Sequence, residues 1–134
     1  MMVKLYTDAA IKGNHGLGGI GILIVAAKEQ IQLHQPLPPM SNHEAEFLAA
    51  IAGFQALLDR DLTGPVSFYS DSQIVIDALN KRYAKHSGDY VTKLLALCDQ
   101  FSLVVWQWIP DRQNQGAHML AQQGLHLAEA KEKA

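Results

Sequence analysis

The chain has 134 residues with 49% apolar and 18% charged side chains, a composition that folds around its own core. Eleven Lys and Arg against thirteen Asp and Glu leave a formal charge of −2, which excludes a polybasic nucleic-acid binder but not an enzyme whose carboxylates hold cations. The single Cys98 excludes an internal disulfide or a multi-cysteine zinc site. The longest apolar stretch, Ile20 to Ala27, is too short to span a bilayer, and no secretory signal is visible at the start. A single domain over residues 1–134 in the cytoplasm, with no membrane partner, is expected.

Val3 to Asp8 alternates as a strand, with Val3, Leu5 and Thr7 on one side and Lys4, Tyr6 and Asp8 on the other. Gly13-Asn14-His15-Gly16 predicts a turn. Gly18 to Val25 reads as a buried strand. Glu29 to His34 reads as an edge strand that Pro36, Pro38 and Pro39 terminate. Ser41-Asn42-His43-Glu44 matches a capping box, and the helix behind it carries Phe47, Ala50, Ile51, Phe54, Leu57 and Leu58 at helical spacing. Val66 to Ser70 is a short strand ending at Asp71. Ser72 to Asn80 suits a short helix, Lys81 to Gly88 a polar connection, and Val91 to Cys98 another helix. Leu103 to Ile109 is a fifth strand, stopped by Pro110. The last helix is expected from about Arg112 to Glu129, with a frayed charged tail beyond.

The order β-β-β-α-β-α-α-β-α predicts an α/β fold. Its sheet is mixed and five-stranded: a three-strand antiparallel meander plus two parallel strands, with helices on both faces.

Asp8 and Asp71 then end adjacent parallel strands, where open α/β sheets form their sites. Paired carboxylates there repel one another unless a cation lies between them. Asp71-Ser72 equally suits a helix start. Glu44 is accounted for by the capping box. Glu46 is not, and it shares a helix face with Ala50, Gly53 and Leu57. His118 shares a face of the last helix with Ala121 and Leu125, so it also looks inward. An oxygen-rich cluster of this kind suits Mg²⁺ or Mn²⁺ and phosphodiester hydrolysis with two ions.

Four motifs in order resemble the type 1 ribonuclease H family: Tyr6-Thr7-Asp8 with Gly13-Asn14-His15-Gly16, Ser41-Asn42 through Glu46 to Ile51, Tyr69-Ser70-Asp71-Ser72-Gln73, and Asn114 with Ala117-His118-Met119-Leu120-Ala121. The resemblance covers almost the whole chain. It implies the ribonuclease H-like fold, metal ligands at Asp8, Glu46 and Asp71, and hydrolysis of the RNA strand of an RNA–DNA hybrid. Asn14, Asn42 and Gln73 match positions that touch the hybrid in that family. The chain is similar to short bacterial and archaeal members that lack the basic, Trp-containing protrusion. It departs from the pattern at His118, where most members carry a fourth Asp. His118 becomes a catalytic and metal-ligand candidate that favours Mn²⁺ over Mg²⁺ and weakens activity. The alternative is a nucleic-acid-binding domain of the same fold with weak or lost catalysis. A 3′–5′ exonuclease of related fold is disfavoured, because Ala10 stands where that group places a Glu.

Overall fold

The computed structural model describes residues 2–84 and 88–133. Five strands form one sheet: β1 (Val3–Ile11), β2 (His15–Ala26), β3 (Glu29–Ser41), β4 (Pro65–Ser70) and β5 (Leu103–Trp108). Among the described residues four helices accompany the sheet: α1 (Asn42–Asp59), α2 (Gln73–Lys81), α3 (Gly88–Cys98) and α4 (Gln115–Lys133). A 3₁₀ turn over Asp111–Gln113 joins β5 to α4. The spatial order is β3-β2-β1-β4-β5, with β1–β2 and β2–β3 antiparallel and β1–β4 and β4–β5 parallel. This is the expected mixed sheet.

The two faces of β1 and β2 have different chemistry. Leu5, Ile22 and Ile24 join Phe47, Phe54 and Leu57 of α1 in the main core, which α2 and α3 close with Val75, Leu79, Val91 and Leu94. The opposite face carries Gly19 and Gly21, and α4 lies directly on them. A Cβ at Gly21 would collide with the backbone of Ala117 and Ala121, and one at Gly19 with that of Gly124 and Leu125. Glycine here permits contact between strand and helix backbones.

Three expectations need correction. The prolines do not end the third strand, which continues to Ser41. Because β3 is an edge, a missing N–H need not break a ladder. The register also shifts so that Pro38 and Pro39 face Leu17 alone between the Leu37–Gly18 and Met40–Gly16 pairs, a bulge that accommodates them. The tail of α4 stays helical to Lys133. Buried Leu125 and Ala128 hold it, Lys131 and Lys133 suit its C-terminal dipole, and Glu129 pairs with Lys12 at 3.0 Å. The last helix also begins later than expected, after the 3₁₀ turn. Of the connection after α2, Arg82 caps the helix in the left-handed region at φ 58°, while Lys85, His86 and Ser87 lie outside the described residues.

Gly21→Ala should cost about 1–3 kcal/mol in urea unfolding, because rigid backbone cannot yield to the new methyl. Gly64→Ala, with open space around the added carbon, should leave stability within about 0.5 kcal/mol. Equal effects at the two positions would contradict this account of the α4 contact.

Candidate active site

Four elements converge where β1 and β4 end. Thr7 pairs with Ser70 in the parallel register, so the next residues, Asp8 and Asp71, emerge side by side. Asp71 is held by its own backbone. Its carbonyl accepts from Trp108 Nε1 at 3.0 Å, Ser70 O accepts from Ile109 N at 2.9 Å, and Ser72 N donates to Ser70 Oγ at 3.0 Å. Ser72 then caps α2, its hydroxyl accepting from Val75 N. The turn that aims Asp71 is thus also a helix start, so both readings of Asp71-Ser72 apply.

Glu46 arrives from the other side. Ser41 caps α1 by accepting from Glu44 N at 3.2 Å, and its hydroxyl donates to Glu44 Oε1 at 3.2 Å. Tyr90 of α3 donates to the other Glu44 oxygen at 3.2 Å. Glu44 therefore fastens the helix start. Glu46, one turn in, is buried beside Ala45, Ala49, Ala50 and Gly53, which let the helix lie close to the sheet. The carboxylates of Asp8, Glu46 and Asp71 each offer an oxygen within 4.8 Å of the other two.

Burying three acids together makes ionisation costly. Burial first, and the Asp71 charge second, push Asp8 up to about 7, against hydrogen bonds from His118 and the Ala9 backbone. Burial, then the charges of Asp8 and Asp71, push Glu46 up to about 9. Asp71 is also raised, chiefly by burial, although the Asn114 side chain touching it works in the opposite direction.

His118 reaches Asp8 from α4, with Nδ1 and Asp8 Oδ2 hydrogen-bonded at 3.0 Å. Asn114 sits beneath them. Its Nδ2 donates to Thr7 O at 2.9 Å, and its own backbone O accepts from His118 N at 3.0 Å. Only 1% of Asn114 is exposed, yet its Oδ1 finds no protein donor among the described residues.

The three amides expected at the substrate are all exposed. Asn14 lies in the β1–β2 turn, Asn42 is the first residue of α1, and Gln73 opens α2, its Nε2 donating to Asp77 at 2.9 Å.

Asp111 was not anticipated. It offers an oxygen within 4.8 Å of ligand atoms on Asp8 and His118, a second group that shares Asp8 with the first. In the sequence it follows Pro110 as an ordinary loop acid. Only the 3₁₀ turn carries it to the site.

The profile of the reverse transcriptase-like family matches residues 6–124. A ribonuclease H of Trichodesmium erythraeum is 30% identical over 122 residues, spanning 80% of this chain and 75% of that one. The chain belongs to the ribonuclease H family. This ribonuclease H domain is also similar to the EbsB protein of Enterococcus faecalis, 40% identical over 127 residues that span 92% and 94% of the two chains. Among solved structures, the N-terminal RNase H domain of Rv2228c from Mycobacterium tuberculosis superposes with a TM-score of 0.88 at 25% identity, covering 99% of both chains. LC11-RNase H1 in complex with an RNA/DNA hybrid shares the fold, with a TM-score of 0.83 at 20% identity over 94% of this chain and 98% of that one.

The raised acids imply a pH dependence. From the ordinary values of 3.8 and 4.5 up to the folded ones, the native state binds more protons than the open chain. Stability of the metal-free protein must fall as pH rises through that window. Urea unfolding in chelator should give a higher midpoint at about pH 5 than at about pH 8, and Asp8→Asn should reduce the slope. A rise in stability over the same interval would contradict the electrostatic assignment.

Proposed function

We propose that this ribonuclease H is a metal-dependent endonuclease that hydrolyses the RNA strand of RNA–DNA hybrids, leaving a 3′-hydroxyl and a 5′-phosphate. The observation that carries the reading is the Asp8–Glu46–Asp71 cluster, with ligand oxygens within 4.8 Å of one another at the ends of parallel strands. Three carboxylates that resist ionisation in the bare protein, beside the orphaned Asn114 Oδ1, suit a hard divalent cation. The similarity to bacterial ribonucleases H agrees with this chemistry.

In this reading Asp8, Glu46 and Asp71 would hold two divalent cations, Mg²⁺ or Mn²⁺, with Asp8 serving both and His118 a further ligand. Such ions supply an activated water and stabilise the leaving oxygen. The chain's own residues do the rest. Asn14, Asn42 and Gln73 present amides to the minor groove of the hybrid, where only the RNA strand offers a 2′-hydroxyl. Gln73 gives one N–H to Asp77 and keeps its second N–H and its carbonyl for the substrate. Glu44, fixed by Ser41 and Tyr90, steadies the first turn of α1 and hence Asn42.

One observation favours the second reading, a binding domain with weak catalysis. The His118 ring already occupies an Asp8 oxygen, and an imidazole brings no negative charge where a fourth Asp would bring one.

Cleavage of matched RNA–DNA, RNA–RNA and DNA–DNA duplexes under divalent-ion titration separates the readings. The hybrid alone should be cut. Asp8→Asn and Asp71→Asn should each lower the rate about 1000-fold, a loss of several kcal/mol of transition-state stabilisation, with circular dichroism unchanged. Near-normal turnover by either variant would remove the two-ion reading.

Imidazole suits Mn²⁺ better than Mg²⁺. The wild type should therefore be faster with Mn²⁺ at matched concentrations, and His118→Asp should regain Mg²⁺-supported activity. If both proteins show the same preference, His118 is not a ligand.

A further inference from the structure

We infer that Asp111 is a metal ligand, holding together with His118 and Asp8 the cation on the α4 side of the centre. The inference rests on the proposed divalent-ion chemistry and extends it to a residue outside the motifs that define the site.

Two groups of ligand atoms meet at Asp8. On the α1 side stand Glu46 and Asp71; on the α4 side stand Asp111 and His118. A carboxylate has two oxygens and can serve both sides. Within the α4-side group the ligand atoms lie within 4.8 Å of one another, whereas opposite ligands of a six-coordinate ion with bonds near 2.1 Å stand about 4.2 Å apart. A small side-chain rotation closes that difference, and Asp111 is exposed and able to make it.

Its backbone, in contrast, is anchored. Asp111 O accepts from Asn114 N at 2.9 Å and from Gln115 Nε2 at 3.0 Å, while Gln113 N donates to Pro110 O at 2.9 Å. Among the described residues the side chain meets only the Asp71 carboxyl, with which it shares a hydrogen bond. The 3₁₀ turn has no side-chain cap, and among the described residues the Asp111 carboxylate has no ion pair and accepts no N–H. It lies against Asp71, another acid, which is an unfavourable place for a merely solvated charge.

Asn114 supplies the independent observation. Its side chain is tied to Thr7 O and touches Asp71, its backbone joins Asp111 to His118, and its Oδ1 is buried without a donor. A buried acceptor left without a protein donor takes one from outside the protein, and a water held by a cation among these groups supplies it. Charge points the same way. His118 is neutral when it ligates, so the α4 side has only Asp8 for negative charge unless Asp111 joins it.

The test is Mn²⁺ binding to the free protein, read by the electron paramagnetic resonance signal of unbound Mn²⁺ in nucleic-acid-free buffer. Asp111→Asn should weaken binding about tenfold, the loss expected when a group that holds the ion is removed. Asp8→Asn should weaken it at least as much. Cobalt hexaammine, which cannot exchange its ammonia for a carboxylate, serves as a probe of charge alone and should bind Asp111→Asn within about twofold of wild type. If Asp8→Asn weakens Mn²⁺ binding and Asp111→Asn does not, the assignment of Asp111 fails and the proposed function stands. If neither variant changes it, both fail. If Asp111→Asn weakens Mn²⁺ and cobalt hexaammine equally, Asp111 acts only through its field and is not a ligand.

Discussion

The backbone contact between α4 and the glycines of β2 is the constraint on which the site depends. Asp8 pairs with Gly21 across the sheet, and Gly21 lies under Ala117 and Ala121. The turn of helix above that glycine therefore stands beside Asp8. His118 follows Ala117 and reaches the Asp8 carboxylate; Asn114, one turn earlier, reaches Thr7 O. A side chain at Gly21 would lift the helix and separate these partners. Close packing and chemistry share one set of contacts here, and neither is adjustable by itself.

That rigidity lets the fold retain charges it would otherwise expel. Asp8 and Glu46 are 4% and 8% exposed, and each lies in the field of the other acids. In a looser frame the carboxylates would move apart into water. The surrounding order is correspondingly dense. The Trp108 indole holds the Asp71 carbonyl, the Ser41–Glu44–Tyr90 chain holds the start of α1, and the tilted aromatic pair Phe54–Phe68 joins α1 to β4 with ring centroids 5.2 Å apart. Stability surrendered at the centre is recovered in the core behind it.

Local signals made much of this readable. Ser41 and Glu44 declared the helix start because a cap is a short-range hydrogen bond, and the alternation of Val3, Leu5 and Thr7 matched the buried face of β1. Separating Glu46 from Glu44 also needed only helical spacing. What could not be read was set by neighbours distant in sequence. Pro36 to Pro39 look like a stop until β3 is known to be an edge whose bulge opposes Leu17. The α4 tail looks frayed until Lys12, far away in sequence, is seen beside Glu129. Asp111 has no periodicity, and its approach to Asp8 depends on where β5 delivers the chain.

The proline-bearing end of β3 also bears on how the molecule behaves in a crowd. A 13-residue strand on the rim of a sheet is a long template for pairing with another molecule. Three residues without an N–H interrupt its second half, and the bulge bends that half, so the unbroken ladder on that rim is cut back to Glu29–Gln35. The opposite rim, β5, is protected differently: it is only six residues long. Each border of the sheet is thus defended against fibril-like stacking, one by chemistry and one by brevity.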